Sequence, residues 1–313
     1  MIRGWSWTIL VAAIATQNLY GGNSTVYSFL RNDVSSRAAA LAGSFVSIVN
    51  DPNAIYYNPA ALSTLEGPMG SVGFLKHLLD INAGYLSYSQ AIEDLGYFGA
   101  GIVYTHYGTF DRTDDLGNNL GTFSASDLAF TLGYSNLLDK NLHYGLNLKF
   151  IHSSIAEYSS SGVAADIGLL YEIPESRVTL GASARNIGKQ ISKYGSSDED
   201  LPLDVMIGGS VVPRGLPLLL NVGFHKLNED EGSFGDRFKA FTVGGEFVLS
   251  PSFHLRFGYD NEKRDDLKIG STAGLAGFSG GVGIMISGYR VDYALSSLGK
   301  AGDLHRVSIG AGF

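Results

Sequence analysis

Fourteen stretches of this chain alternate apolar residues with small or polar ones at a period of two, and the links between them alternate in length. The clearest stretch is 142–150. Leu142, Tyr144, Leu146, Leu148 and Phe150 share one face, and His143, Gly145, Asn147 and Lys149 share the other. Phe253, Leu255, Phe257 and Tyr259 oppose His254, Arg256 and Asp260 in the same way. Tyr289, Val291, Tyr293 and Leu295 oppose Arg290, Asp292 and Ser296. The full set of predicted strands is 69–77, 81–90, 95–107, 122–135, 141–155, 161–171, 176–187, 202–213, 216–227, 236–249, 252–261, 276–287, 288–298 and 303–313.

The even-numbered links are tight, as at Pro213-Arg214-Gly215, Ser250-Pro251 and Gly288. The long polar links, 108–121, 188–201, 228–235 and 262–275, are all odd-numbered. A Greek-key sandwich has no reason to sort its loops by parity. An up-and-down barrel with short turns on one side of a membrane and longer loops on the other does so by construction. The expected fold is therefore all-β: a transmembrane antiparallel β-barrel of fourteen strands, with both ends of the barrel on the short-turn side. The last strand agrees. Val307, Ile309, Ala311 and Phe313 alternate with Ser308, Gly310 and Gly312, an amphipathic strand ending on an aromatic residue.

Charge placement follows from the same parity. Lys149, Asp166, Arg185, Glu246, Arg256, Arg290 and Asp292 all fall on the inner face. Facing lipid at the midplane, each would cost about 2–4 kcal/mol. Their mixed signs predict an ion-paired, filled interior rather than a polar pore. Glycine, at 41 of 313 residues, is nearly double the roughly 7 % of average proteins. Gly145, Gly168, Gly181, Gly223, Gly244, Gly258, Gly283, Gly310 and Gly312 mostly alternate with outward apolar residues, which predicts a wall thinned on its inner face around an insert.

That insert is expected from the segment before the first strand. Residues 1–15 read as an export signal: Arg3 in a basic start, the apolar run 9–14, and Ala13-Ile14-Ala15 as a cleavage site. The run is too short for a spanning helix. Residues 16–68 do not alternate. They are small and apolar, and they carry two Asx-Pro steps, Asp51-Pro52 and Asn58-Pro59-Ala60. Each step suits a helix start, with the Asx side chain as cap and Pro at the first helical position. The expected organisation is a signal over 1–15, a lumenal plug over 16–68 and a barrel over 69–313.

The remaining motifs exclude more than they assign. With no Cys, disulfides, thiolate metal sites and cysteine nucleophiles are absent. A net charge of −8 without a basic stripe excludes nucleic acid as a partner. The acidic groups Asp111, Asp114 and Asp115, Asp198-Glu199-Asp200, Glu229-Asp230-Glu231 and Asp265-Asp266 have no calcium-loop spacing and read as solvated loops. No His-x-x-x-His pair supports zinc. His152 and Ser154 share a strand face but have no third orienting group, so they read as interfacial polar residues rather than a catalytic pair. Gly280-Gly281-Val282-Gly283 lacks the helix and Lys of a phosphate loop. No catalytic residue, metal or cofactor is expected.

Two blocks carry a family resemblance. The first is Ser36-Arg37-Ala38-Ala39-Ala40-Leu41-Ala42-Gly43-Ser44-Phe45-Val46-Ser47 followed by 51–62, from Asp51 and Pro52 to Leu62. It resembles the N-terminal hatch of FadL-type outer-membrane proteins, most closely the PorV/PorQ branch associated with type IX secretion. The second is Gly281-x-Gly283, Arg290-Val291-Asp292-Tyr293-Ala294-Leu295, Leu298-Gly299 and His305-Arg306-Val307-Ser308, which resembles that branch's final hairpin and closing strand. The resemblance implies a fourteen-stranded barrel with an N-terminal plug in the outer membrane of a Gram-negative-type bacterium. FadL-type members carry fatty acids or aromatic hydrocarbons through a lateral opening. The PorV/PorQ branch binds exported proteins or parts of the secretion machinery. The chain is short for a FadL transporter and its long loops are modest, which favours secretion. The alternative is a transporter of hydrophobic small molecules, with such a ligand, detergent or lipid in the lumen.

Overall fold

The computed structural model describes residues 25–77, 80–114, 118–195, 198–229, 235–268 and 274–313. The predicted signal over 1–15, the start of the predicted plug, and Asp115, Asp230 and Glu231 of the acidic loops lie outside the described residues.

The strands are β1 (Met69–Lys76), β2 (Asn82–Ile92), β3 (Gly96–Thr113), β4 (Asn119–Asp139), β5 (Leu142–Ile155), β6 (Tyr158–Ile173) and β7 (Val178–Ser192). They continue as β8 (Asp204–Val211), β9 (Leu218–Phe224), β10 (Phe241–Ser250), β11 (Phe253–Asp260), β12 (Phe278–Ile286), β13 (Tyr289–Ser297) and β14 (Asp303–Gly312). Each pairs antiparallel with its sequence neighbours. β1 and β14 close the barrel, in register from Met69 opposite Gly312 to Lys76 opposite His305. Closure leaves no strand edge unpaired, the condition for a sheet in lipid.

The two faces separate as the alternation requires. On β5, Leu146 and Leu148 are 49 % and 70 % exposed, while Asn147 and Lys149 between and beside them are 1 % and 7 % exposed. Outward rings cluster near both rims. Phe98, Tyr134 and Tyr144 meet at the short-turn end, and Phe241, Tyr259 and Phe278 at the long-loop end. Apolar walls flanked by aromatic girdles are the signature of a transmembrane barrel.

The wall is uneven in height. β3 and β4 have 18 and 21 residues and β9 has 7, whereas a tilted spanning strand needs about 9–11. The predicted loop 108–121 is therefore mostly the top of a hairpin whose pairing runs on to Thr113 opposite Asn119. Polar residues there gave a loop-like composition, but ladder bonding uses the backbone and tolerates them. The link 262–275 contains a helix, α2 (Asn261–Asp266), capped by Asp260, whose Oδ1 accepts from Lys263 N at 3.1 Å.

The largest apolar core cluster sits inside the barrel, in the segment preceding β1. Thr25 bridges to Asp200 in the β7–β8 link at the long-loop end, and Pro68 O accepts from Phe313 N at 2.8 Å at the short-turn end. Between these points the chain traverses the lumen as one α-helix, α1 (Ser36–Ala40), and 3-10 turns at Ser28–Arg31, Pro52–Tyr56 and Pro59–Thr64. Leu41, Phe45, Ile48, Ile55 and Leu62 are each at most 1 % exposed and form this core.

Candidate functional site

Local caps shape the lumenal segment. Ser35 Oγ accepts from Ala38 N at 3.2 Å and starts α1. Asp51 Oδ1 accepts from Asn53 N at 2.9 Å ahead of Pro52, and Asn58 Oδ1 accepts from Ala60 N at 3.1 Å ahead of Pro59. Pro fits the first position of each turn because its missing N–H would have had no partner there. Asn58 also donates to Val46 O at 2.8 Å and to Leu169 O of β6 at 3.0 Å, tying the turn to the wall.

Bare backbone on the wall lets the insert come close. A Cβ at Gly145 would collide with the backbone of Pro59 and Ala60, one at Gly168 with Asn58, one at Gly181 with Val46, and one at Gly258 with Leu41 and Ala42. Gly310 and Gly312, grouped with these by parity, instead have only wall or Pro68 neighbours at 3.5 Å or more. The thinning of the wall thus does not extend to the short-turn end of β14.

Six charged side chains close a ring across the lumen. Arg37 Nη1 meets Asp51 Oδ2 at 3.0 Å, Asp51 Oδ2 meets Arg290 Nη2 at 2.8 Å, and Arg290 Nε meets Asp292 Oδ2 at 2.9 Å. Asp292 Oδ1 meets Arg256 Nη1 at 2.6 Å, Arg256 Nη2 meets Glu246 Oε1 at 3.1 Å, and Glu246 Oε2 returns to Arg37 Nη2 at 2.8 Å. Arg37 and Asp51 belong to the insert, and the other four to β10, β11 and β13. Signs alternate around the ring and its formal charge is zero. Gly283 leaves space for the Arg256–Asp292 pair, since a Cβ there would lie 2.6 Å from both. Burial alone would push the Asp51 carboxyl up, but Arg290 and Arg37 outweigh it and hold it down at about 2.

A second cluster ties the opposite wall. Lys149 Nζ meets Asp166 Oδ2 at 2.9 Å and donates to Asn186 Oδ1 at 2.8 Å. Asn147 donates to Asp166 and, at 2.8 Å, to Ile55 O of the insert. Arg185 Nη2 meets Asp204 Oδ2 at 2.5 Å, and its Nη1 donates to Tyr56 O at 2.8 Å. β7 bulges here. Asn186 adopts φ 61, a left-handed conformation that Asn tolerates, and its N–H donates to Asp166 Oδ1 at 2.8 Å.

The seven inner-face charges predicted from sequence thus fall into two clusters, four in the ring and Lys149, Asp166 and Arg185 in the second. The sequence reading missed Arg37 and Asp204. Arg37 is masked by a run of small residues. Asp204 shares the parity of Met206, Gly208 and Ser210, so the signal for it was present. His152 and Ser154 do not pair: His152 Nδ1 lies 3.0 Å from Ser161 Oγ, and Ser154 Oγ lies 3.1 Å from Ser126 Oγ. A different serine does meet an imidazole. Ser63 Oγ is 2.7 Å from His143 Nδ1, and His143 Nε2 is 3.0 Å from Glu172 Oε1. Ser63 is 5 % exposed and its hydroxyl donates to Ala60 O at 2.9 Å, so the chain fastens the insert to β5 and β6. Among the described residues no group of His, Asp or Glu is arranged to hold a metal ion.

Two cavities open at the long-loop end, one on each side of Asn32 and Asp33. One, of about 80 Å3, is largely apolar, with Phe29, Val34, Leu75, Ile81, Tyr85 and Val103 in its lining and Tyr107 toward the mouth. The other, of about 250 Å3, has several charged side chains in its lining, among them Lys263, Asp266 and Arg306, and lies between the insert, α2 and β12–β14. Above the mouth the tall wall turns apolar side chains inward. Phe123 has the parity of Asp127 and stacks on its cross-strand partner Phe110 at 5.3 Å, and Ile155 pairs with Tyr158 on the same face.

No family model matches the sequence, and no curated protein matches it. Solved structures do. The toluene transporter TbuX of Ralstonia pickettii superposes with a TM-score of 0.61 at 13 % identity, over 89 % of this chain and 98 % of its own. The toluene transporter TodX of Pseudomonas putida gives 0.61 at 14 % identity, over 90 % and 96 %. A FadL homologue of Pseudomonas aeruginosa gives 0.59 at 12 % identity, over 93 % and 100 %. The fold is that of the FadL-type barrels. At these identities the likeness establishes the fold, a fourteen-stranded antiparallel β-barrel with an N-terminal lumenal segment, and the PorV/PorQ branch suggested by the motif blocks is not distinguished by it.

Proposed function

We propose that the protein is an outer-membrane conduit for small hydrophobic molecules and catalyses no reaction. The largely apolar cavity at the long-loop end carries this reading, and Phe110, Phe123, Ile155 and Tyr158 stand on the inner face higher up the same tall wall. Two of the solved barrels that share the fold are named as toluene transporters. At about 80 Å3 the cavity is smaller than the ~150 Å3 that takes up a benzene ring, so a ring-sized ligand has to shift segment 29–34 as it enters. Below it the lumen is filled and the ion-pair ring locks the insert to the wall. Passage therefore requires the insert to move, and the ring sets the cost of that movement.

The same proposal takes residues 1–15 as a removed export signal, 16–68 as the plug and 69–313 as the membrane-embedded barrel surrounded by outer-membrane lipid. Equilibrium binding of radiolabelled toluene to the detergent-solubilised protein tests the cavity. Saturable binding that is lost in Val103→Asp supports it. Binding that Val103→Asp leaves unchanged refutes it.

One observation favours a second reading. A lumen closed by the ion-pair ring suits a barrel that docks proteins rather than passing ligands, as in the type IX-like secretion or surface attachment implied by the PorV/PorQ resemblance. Affinity capture from native membranes separates the two. Recovery of large secretion components or exported proteins with C-terminal signal domains, with no toluene binding, would move the assignment to the second.

A further inference from the structure

The cavity beside α2 contains a buried guanidinium that, among the described residues, has no carboxylate within 4 Å; Asp33, the acidic group whose charge reaches it, is paired with Lys263 instead. Arg306 of β14 lines it and is 4 % exposed. Its Nη1 donates to Ser296 Oγ at 3.2 Å, and its Nε has no partner. The other four buried lumenal arginines, Arg37, Arg185, Arg256 and Arg290, each have a carboxylate within 4 Å. Two of the three acidic residues in the cavity lining, Asp33 and Asp260, are otherwise engaged. Asp33 Oδ2 is held by Lys263 Nζ at 3.0 Å, and Asp260 meets Lys263 at 3.1 Å and caps α2. The cation Arg31 is paired with Glu229 at 2.6 Å. A desolvated guanidinium that makes no direct ion pair and shares its nearest counter-charge with a lysine is costly, and a fold that keeps one facing a cavity leaves room for a closer partner.

We propose that this cavity binds a small hydrophilic oxyanion, a carboxylate or a phosphate, gripped by the Arg306 guanidinium with the Ser297 hydroxyl, which accepts from Gly299 N and is free to donate, alongside. The planar fork of arginine matches both anions in a two-point geometry. Asp266 also lines the cavity. Burial and the neighbouring Glu262 push its carboxyl up from the ordinary carboxylate value, and it stands among the groups an arriving anion meets. The site is separate from the apolar cavity, on the far side of Asn32 and Asp33, and does not depend on what passes through the barrel. An anion there would touch the insert, α2 and β14 together, and so brace the outer end of the insert.

The test is equilibrium dialysis of the full chain in neutral detergent at low ionic strength, with radiolabelled inorganic phosphate in one arm and acetate in the other. Saturable binding of either is expected, and the arm that binds identifies the source. Arg306→Met should weaken it about tenfold or more. Without anion, Arg306→Met should unfold at the same or a higher temperature than wild type, because an unpaired buried charge is gone. A purely structural arginine would show the opposite. If Arg306→Met fails to fold, Arg306→Lys keeps the charge and loses the fork, and should weaken binding severalfold. Binding undiminished in either variant overturns the proposal. So does saturable binding of decanoate with none of phosphate or acetate, since the anion would then be the head of an amphiphile.

Discussion

Asp51 and Arg290 meet at 2.8 Å across the lumen, one from the insert and one from β13, and this contact joins the two halves of the ion-pair ring. Asp51 Oδ2 also takes Arg37 Nη1, so a single carboxylate oxygen serves two guanidiniums while its partner Oδ1 caps the turn at Pro52. Replacing one member of a buried pair costs about 3–5 kcal/mol, because the remaining charges stay buried and unanswered. Asp51→Asn keeps the cap and removes the charge. Its chemical unfolding midpoint in detergent should fall accordingly, while Asp51→Ala, which also loses the cap, should fall further by about 1 kcal/mol.

The same carboxylate makes the insert sensitive to acid. Asp51 is lowered from an ordinary 3.8 to about 2, so its contribution is fully present above about pH 4 and disappears as pH falls through about 2. The shift corresponds to about 2 kcal/mol. Asp33 moves in the same direction: burial pushes it up, and Lys263 and Arg306 outweigh that. Stability measured between pH 5 and pH 2 should therefore decline for wild type and decline less for Asp51→Asn.

Gly145 touches the backbone of Pro59 and Ala60, so Gly145→Ala has no room without moving the insert. Overpacking of this kind costs about 1–3 kcal/mol. Gly280, on the outward face of β12, has its nearest neighbour at 3.6 Å from a built Cβ, and Gly280→Ala should be tolerated. Comparing the two by heat-induced loss of the folded gel band isolates the close approach from the general effect of adding a methyl to a strand.

Much of this architecture is legible in the sequence for a simple reason. A wall with lipid on one side and a packed insert on the other imposes a strict period of two, and unequal loops reveal the direction of each strand. The extent of β3 and β4 was not legible, because Asp111, Thr113 and Asn119 look like loop residues whether or not their backbones pair. The ring was half legible. Parity placed Glu246, Arg256, Arg290 and Asp292 inside, but only the folded insert brings Arg37 and Asp51 to them from more than 190 residues away in sequence. That Arg306 makes no direct ion pair could not be seen at all, since it depends on which carboxylates Lys263 occupies.

The membrane face gives a prediction independent of the insert. Leu148 lies mid-strand on β5 and is 70 % exposed, which places it in the lipid belt. Leu148→Arg should cost about 2–4 kcal/mol in folding into lipid vesicles. Leu138→Arg, at the short-turn rim, should cost about 0–1 kcal/mol in the same assay.

The most direct test of the conduit is uptake of radiolabelled toluene by bacterial cells that lack a hydrocarbon channel of their own and express this barrel. The account predicts faster uptake than in cells without it, abolished by Val103→Asp while the folded barrel remains in the outer membrane, and accelerated by Asp51→Asn. Uptake equal to that of cells lacking the protein, with the barrel correctly inserted, would contradict it.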